Sequence, residues 1–529
     1  MPKLRSKIEK ALYPFQREVV DRMIERKKLL VAMEMGLGKT ICTIAAVERL
    51  IEQGKVGGGL IVAPASLKYQ WLRQIEYWTD GKANALVIDG TPDEREAQYA
   101  LMAAGKIEYC IMNYEQVKND WKIVVDLPRD FICTDECTAY KNFEAQRSQL
   151  IKKLMARYRW ALSGQPVENR ADEVFSIMEW VDHRVLGPAD IFEAHFVSRD
   201  GYGRVTGYKN VKTLHRLLQS AMARKNRSEV ADQMPAVVEE QILVDFDPKG
   251  RRLYNYIAAD LLDLMDHAQA AGNFDPDAFY AGQGQKGNQA MGEVMSRLTC
   301  LRMLCDHPNL LRESAAAYDA RRAGQAGGSQ LGSKYADLLV QGKALDGVIW
   351  GPKLLAASEL IKQILDADPG NKIVLFSFFK GSLRLVQEAV AGETQSVMFH
   401  GDLSAKEREH SRQVFATNKE VRLFLSSDAG GYGLDLPMAN YLISFDLPWS
   451  AGKWDQRCAR IVRLSSEFPE VTLISLLMKG SIEERQYDVL TTKQRVGRAI
   501  IDGYGFDRKK GTLDLNLESL SDFLRATAV

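Results

Sequence analysis

The chain has 529 residues, 46% apolar and 26% charged, the composition of an ordinary soluble globular protein with room for ~3 to 4 domain-sized units. Its formal net charge is +1, so binding to nucleic acid would have to use a local basic groove and not a whole-molecule field. No apolar stretch reaches the ~18 to 20 residues of a membrane span, no apolar signal core follows Met1–Arg5, and the 7 cysteines lack a disulfide-framework spacing, which together argue against secretion and for a reducing, cytoplasmic setting.

The first ~240 residues alternate short apolar runs with amphipathic helices. Strands are expected at Leu29–Val31, Leu60–Ala63, Leu86–Ile88, Tyr109–Met112, Phe131–Thr134 and Trp160–Ser163. Several are continuous apolar runs, as strands buried on both faces are, which argues for a parallel sheet between helix layers. The first run leads into Met33, Glu34, Met35, Gly36, Leu37, Gly38, Lys39 and Thr40, and then Ile44, Val47 and Ile51 recur at helical spacing until Gly54. In such a strand–loop–helix context, backbone N–H groups close around phosphate oxygens at a helix N-terminus. Lys39 would add charge near the β/γ-phosphates, and the Thr40 hydroxyl is a ready Mg²⁺ ligand. Met33 stands where the usual pattern has its first glycine.

Further along, the apolar run Phe131–Thr134 ends in Asp135-Glu136. At a strand's carboxyl end beside a phosphate loop, Asp135 is placed to hold Mg²⁺ and Glu136 to polarise an attacking water. Residues 240 to 350 read as helical, interrupted by Gly/Ala/Gln-rich stretches at Gly282–Gly287 and Ala315–Gly332 that bury little apolar surface and suggest a flexible protrusion. Cys300, Cys305 and His307 invite a metal reading, but no second ligand pair follows and Leu298–Leu304 is apolar; a buried packing segment is expected. Cys133 and Cys137 are expected in the core.

The α/β grammar returns at Ile373–Ser377, Val397–His400, Val421–Ser426, Tyr441–Asp446 and Val471–Leu476. Two α/β lobes are the simplest account. Trp454–Arg463 reads as a helix with Arg460 and Arg463 at i, i+3 on one face, placed either to neutralise a γ-phosphate or to form a solvated basic face. After residue 500, Arg508-Lys509-Lys510 and spaced leucines read as a docked tail. The expected domains are 1–240, an N-terminal ATP-binding lobe; 241–350, a helical linker or protrusion; 351–499, a C-terminal lobe; and 500–529, the tail.

In order, these segments resemble the Swi/Snf-type (remodeller-like) ATPases of the helicase superfamily, from about Leu12 to about Arg485. Leu12–Gln16 is similar to the glutamine motif that reads adenine, and Glu34–Thr40 to the family's phosphate loop. Leu60–Leu67 with Gln70-Trp71, Asp135-Glu136 with Lys141-Asn142, and Ser163–Pro166 with Asn169 and Glu173 resemble the next motif, the acidic box and the coupling motif. Cys305–Pro308 resembles a packing signature. In the second half, Val374–Phe379, His400–Asp402, Ser426–Leu436, and Gln456 with Arg460 and Arg463 fit the later motifs, the last being the arginine fingers. Three positions depart from the pattern: Thr138 for a usual His, Gln165 for a common Thr, and Leu464-Ser465-Ser466 for a frequent Gly-Gln. A hydrogen bond between Gln165 and Thr138 is one expected substitute.

The resemblance implies an α/β fold of two RecA-like parallel-sheet lobes with a helical insertion, using ATP and Mg²⁺. Gln16, Met33–Thr40, Gly433 and Asp435 would bind ATP, Thr40 and Asp135 the metal. Lys39, Asp135, Glu136, Gln456, Arg460 and Arg463 would be catalytic. Ser66, Lys68, Asn113, Lys380 and Ser427 would contact DNA, with Arg224-Lys225-Arg227 and Arg251-Arg252 either lining that groove or solvated. The implied activity is ATP-driven translocation on duplex DNA, largely independent of sequence, by a monomer that remodels DNA or removes DNA-bound proteins in a bacterial or virus-infected cell, with no membrane role. The alternatives are a strand-separating DNA or RNA helicase and a DNA-binding scaffold activated by a partner.

Overall fold

Each apolar run of the first half is a strand in the computed structural model, which describes residues 7–142, 145–167, 171–199, 205–270, 289–324, 332–428, 434–502, 513–514 and 520–527. They are β1 (Lys28–Met33), β2 (Gly59–Ala63), β3 (Ala85–Val87), β4 (Tyr109–Asn113), β5 (Phe131–Asp135) and β6 (Tyr158–Leu162). An antiparallel pair, β7 (Val197–Arg199) and β8 (Val205–Tyr208), and the short β9 (Met222–Lys225) follow. Sheet order is β3-β4-β2-β5-β6-β1-β9, every pairing parallel. All seven carboxyl ends therefore open onto one edge.

Burial explains the pattern. Leu30, Leu60, Cys110, Ile132 and Ala161 pack in one core with Val174, Ile177 and Trp180 of the helix Ala171–Asp182. Cys133 and Cys137 are buried as well.

The second sheet comprises β10 (Ala236–Val244), β11 (Ile373–Ser377), β12 (Gln395–Phe399), β13 (Val421–Ser427), β14 (Tyr441–Ser444) and β15 (Glu470–Met478). It too is parallel throughout, in the order β10-β15-β14-β11-β13-β12. Two α/β lobes are thus present. The strands the sequence did not announce are β7 to β10 and, among the described residues, the two-residue Leu513–Asp514, which pairs antiparallel with β8. Of these, β9 and β10 lie at sheet edges, where one side is open and polar residues replace the continuous apolar run.

The helices Pro248–Ala270, Gln289–Asp306, Pro308–Arg322 and Lys334–Gln341 share a core of Tyr254, Ile257, Leu301 and Leu311, joined by Leu520 and Leu524. One expectation is corrected here: Ala315–Arg322 continues a regular helix. Alanine is the best helix former, and Ala315 is itself buried. Gly282–Gly287, and residues 325–331 of the second stretch, lie outside the described residues.

The chain divides into two compact units, residues 1–233 with 493–515, and 234–492 with 516–529. Among the described residues no helix is long and apolar enough to cross a membrane.

Candidate nucleotide-binding site

The carboxyl edge of the first sheet collects the predicted chemistry. Past β1 the chain turns through Gly36 and Gly38, both at φ 86°, and enters the helix Lys39–Glu52. Gly38 is also pressed against Gln16: a Cβ there would lie 2.4 Å from Nε2, so neither its backbone nor its space admits a side chain. Gln16 is buried, and its Nε2 donates to the Leu37 carbonyl at 3.0 Å, which ties the glutamine motif to the loop itself. Lys39 Nζ reaches back to the Met33 carbonyl at 3.0 Å. The helix stops at Gly54, whose N–H returns to the Ile51 carbonyl at 2.9 Å.

β5 delivers Asp135, 7% exposed, to the same edge. Its Oδ2 accepts from the Trp71 indole N–H at 2.9 Å and its Oδ1 from the Glu136 N–H at 3.0 Å. Burial pushes this carboxyl above the usual carboxylate range, opposed by the Trp71 bond and by the nearby Lys39 ammonium. A buried carboxylate with lone pairs to spare and a threonine hydroxyl at the start of the loop's helix are oxygen donors of the kind Mg²⁺ takes together with phosphates, so Thr40 and Asp135 fit that ion by chemistry. Glu136 occupies the left-handed region at φ 50°, a conformation costly for a non-glycine residue and found where a site holds the backbone.

β6 leads into Ser163-Gly164-Gln165. A Cβ on Gly164 would lie 2.7 Å from Met35 Cγ, so the coupling segment and the phosphate loop are in contact. Lys141 beside the acidic box pairs with Glu173 at 3.1 Å, joining two predicted motifs. The Gln165–Thr138 bond is a correction: among the described residues Gln165 Oε1 is buried without a partner. Its amide faces Gly497, where a Cβ would stand 3.4 Å from Nε2. Asn169 lies outside the described residues.

Within each unit the expected DNA contacts follow the carboxyl ends of neighbouring strands, β2 with β4 and β11 with β13, but they differ in exposure. Ser66 is exposed. Lys68 is 4% exposed, its ammonium on the Ile88 carbonyl at 2.8 Å and near Asp89 at 3.5 Å, so it is not presented to a strand. Asn113 caps the helix Tyr114–Asn119. In the second unit Lys380 pairs with Asp402, and Ser427 is buried at the end of β13, its Oγ without a partner among the described residues. Of the basic clusters, Arg252 is exposed, as the solvated alternative expects, while the other members are engaged within the protein. Arg224 and Arg227 turn onto the phosphate loop, Lys225 pairs with Glu18 at 2.8 Å, and Arg251 donates to the Gly480 carbonyl and stacks on Phe246.

In the second unit the helix carrying Gln456 runs Ala451–Cys458 and stops there. Arg460 and Arg463 therefore lie beyond it, and the i, i+3 argument for their common face fails. Arg460 donates to the Leu434 carbonyl at 3.0 Å, and Arg463 pairs with Asp435 at 2.5 Å. Arg457 is buried between Asp428, at 2.6 and 2.8 Å, and Asp446, at 3.3 Å. Asp446 in turn accepts from the Ser377 hydroxyl at 2.5 Å and the Phe378 N–H at 2.7 Å. Gly433 lies outside the described residues.

Comparison with known proteins decides the family. Residues 15–310 match the SNF2-related domain, and residues 356–465 the helicase conserved C-terminal domain. The chain belongs to the SNF2-related family. Similar proteins include the ATP-dependent helicase brm of Drosophila melanogaster, 25% identical over 91% of this chain and 28% of that protein. A RAD54-like DNA repair and recombination protein of Gallus gallus is 25% identical over 97% of this chain and 72% of its own length. This SNF2-related chain thus spans little more than a quarter of the first and about three quarters of the second. In fold it is similar to the Hef helicase domain of Pyrococcus furiosus, with a TM-score of 0.54, 16% identity, and coverage of 90% of this chain and 97% of that one.

Trp71, Arg224 and Asp502 are the residues of this SNF2-related site that sequence reasoning missed. For Trp71 a signal existed, since Gln70-Trp71 closes a motif, but nothing local says that an indole reaches a carboxylate 64 residues away.

Proposed function

We propose that the chain is a DNA-dependent ATPase that moves on duplex DNA and remodels DNA or what is bound to it. One observation carries the reading: the phosphate loop, the Asp135-Glu136 pair and the Gly164 segment converge on one carboxyl edge of a parallel sheet, where α/β proteins bind ligands. Family membership and the DNA repair relatives support DNA as the track.

In this reading the loop amides and Lys39 would hold the phosphates, Glu136 would orient and polarise the attacking water, and Gln16 would fix the loop through the Leu37 carbonyl. Thr40 and Asp135 would hold magnesium, which when bound would supply positive charge against the phosphates. Gln456, Arg460 and Arg463 are assigned to the γ-phosphate. For both arginines this requires exchanging the Leu434 carbonyl and Asp435 for phosphate oxygens, so hydrolysis waits on a rearrangement.

The test is ATPase activity with and without duplex DNA. Lys39→Ala should abolish it, and Glu136→Gln should lower kcat by ~10²–10⁴ while nucleotide still binds. Equal stimulation by RNA or single strands, or unwinding of a fork without displacement of a DNA triplex, would favour the helicase reading. A wild-type chain without ATPase under any of these conditions would favour the scaffold.

A further inference from the structure

The Arg224 guanidinium lies where the phosphate loop leaves its strand. It sits on β9 in register with Ala32 of β1. Nη1 donates to the Ala32 carbonyl at 2.9 Å and to the Gly164 carbonyl at 3.1 Å, so one side chain ties the ends of β1 and β6 together. Nη2 reaches Glu34 Oε1 at 3.3 Å. The remaining face is taken by Asp502, with Nε on Oδ1 at 2.6 Å and Nη2 on Oδ2 at 3.3 Å. This paired fork is the geometry that fixes a guanidinium in plane as well as in charge.

Arg227 completes the grip. Its backbone N–H donates to Glu34 Oε2 at 3.0 Å and its side chain to the Met35 carbonyl at 3.2 Å. Glu34 and Met35 are thereby held at carboxylate and carbonyl, immediately before Gly36.

Asp502 comes from far along the chain, yet it belongs to the same compact unit. Its side chain is 2% exposed and its N–H donates to the Arg498 carbonyl at 2.8 Å. The turns before it are anchored by Val496, Ala499, Ile500 and Ile501 in the core of the first unit. Gly497 lets them seat on the coupling segment, since a Cβ there would stand 2.9 Å from the Val167 carbonyl.

We propose that Asp502 is a positioning residue for the ATP site: through Arg224 it holds the phosphate loop in its phosphate-competent form. This rests on the ATPase reading above. A residue that only supported the fold would change the unfolding midpoint and leave nucleotide affinity alone. A residue that keeps the loop competent changes affinity, because the ligand must then order the loop itself.

The experiment measures the Kd of a fluorescent ATP analogue, KM and kcat for ATP, and hydrogen exchange of the amides at residues 33–39, in wild type, Asp502→Asn, Arg224→Lys and the double variant. Asp502→Asn should raise Kd and KM about five- to ten-fold, as when the competent fraction falls by that factor, with kcat changed less than about two-fold. Exchange at residues 33–39 should quicken while that of β2 and β4 stays as it was. Arg224→Lys keeps the charge but not the fork and should reproduce the effect, and the double variant should add nothing further. Asp502→Glu should restore part of it. Should Asp502→Asn fail to fold, Arg224→Lys and Asp502→Glu decide by the same readouts. Unchanged Kd and KM in the folded variants, beside an active wild type, would overturn the proposal alone. A wild type that neither binds nor hydrolyses ATP would overturn the site reading and this inference with it.

Discussion

Asp135 is a carboxyl that the surrounding burial would rather keep neutral, while the Trp71 indole N–H and the Lys39 ammonium favour its charge. The sign of a substitution follows. Trp71→Phe keeps most of the ring packing but removes a hydrogen bond to the charged form, so the Asp135 pKa rises further. The acid limb of the ATPase pH profile should therefore move upward. A profile taken at saturating Mg²⁺ checks this, and an unmoved acid limb would show that Asp135 does not have to ionise for turnover. At this scale the carboxylate pair was legible because a strand-ending Asp-Glu after an apolar run is a local pattern. Trp71 and Arg224 were not, because their partners are set by sheet order, not by spacing.

Among the elements, the helix Pro308–Arg322 shows how a tempting cluster resolves into ordinary structure. Cys300 and Cys305 are buried, Asp306 binds Lys353 at 3.2 Å and the Ser382 hydroxyl at 2.6 Å, and His307 caps the helix by accepting the Asn309 N–H on Nδ1 at 3.1 Å. Burial, aided by Arg312, lowers the His307 pKa to about 4 from an ordinary 6.5. Below 6.5 the unfolded chain takes up the proton first, so the stability this cap contributes is complete above that pH and is lost progressively as pH falls toward 4. By pH 5 the loss should be about 1–2 kcal/mol. His307→Asn can cap without titrating, and its denaturant midpoint should fall less between pH 7 and pH 5 than that of wild type. Equal falls would remove His307 from the acid response. Helix ends were the weak part of the sequence reading for the same reason. The expected helix through Arg463 has no breaker at Ala459, and it ends at Cys458 because Arg457 is pulled into Asp428 and Asp446, a tertiary cause.

At the scale of the whole molecule, the two parallel sheets were legible because strands buried on both faces read as unbroken apolar runs. The return of residues 493–502 to the first unit was not, since nothing in Val496, Ala499, Ile500 and Ile501 names the core they enter. That return has a thermodynamic consequence. Fully burying a Val or Ile side chain contributes ~1.5–3 kcal/mol, and three such residues leave the core if the chain is cut after its first unit. The sum of roughly 5–9 kcal/mol is an upper estimate, but it is as large as the ~5–15 kcal/mol that holds a typical domain together. The cut also leaves Arg224, 15% exposed, without its paired fork to Asp502, with Glu34 still beside it at 3.3 Å. A fragment of residues 1–240 should therefore be marginal or unfolded by itself, although it contains the whole phosphate loop and acidic pair. Co-expression with a peptide of residues 490–515 should recover a cooperative thermal transition and binding of the fluorescent ATP analogue, and a peptide carrying Asp502→Asn should recover the transition better than the binding. A fragment that folds and binds nucleotide fully without the peptide would show that the returning segment is dispensable to the first unit.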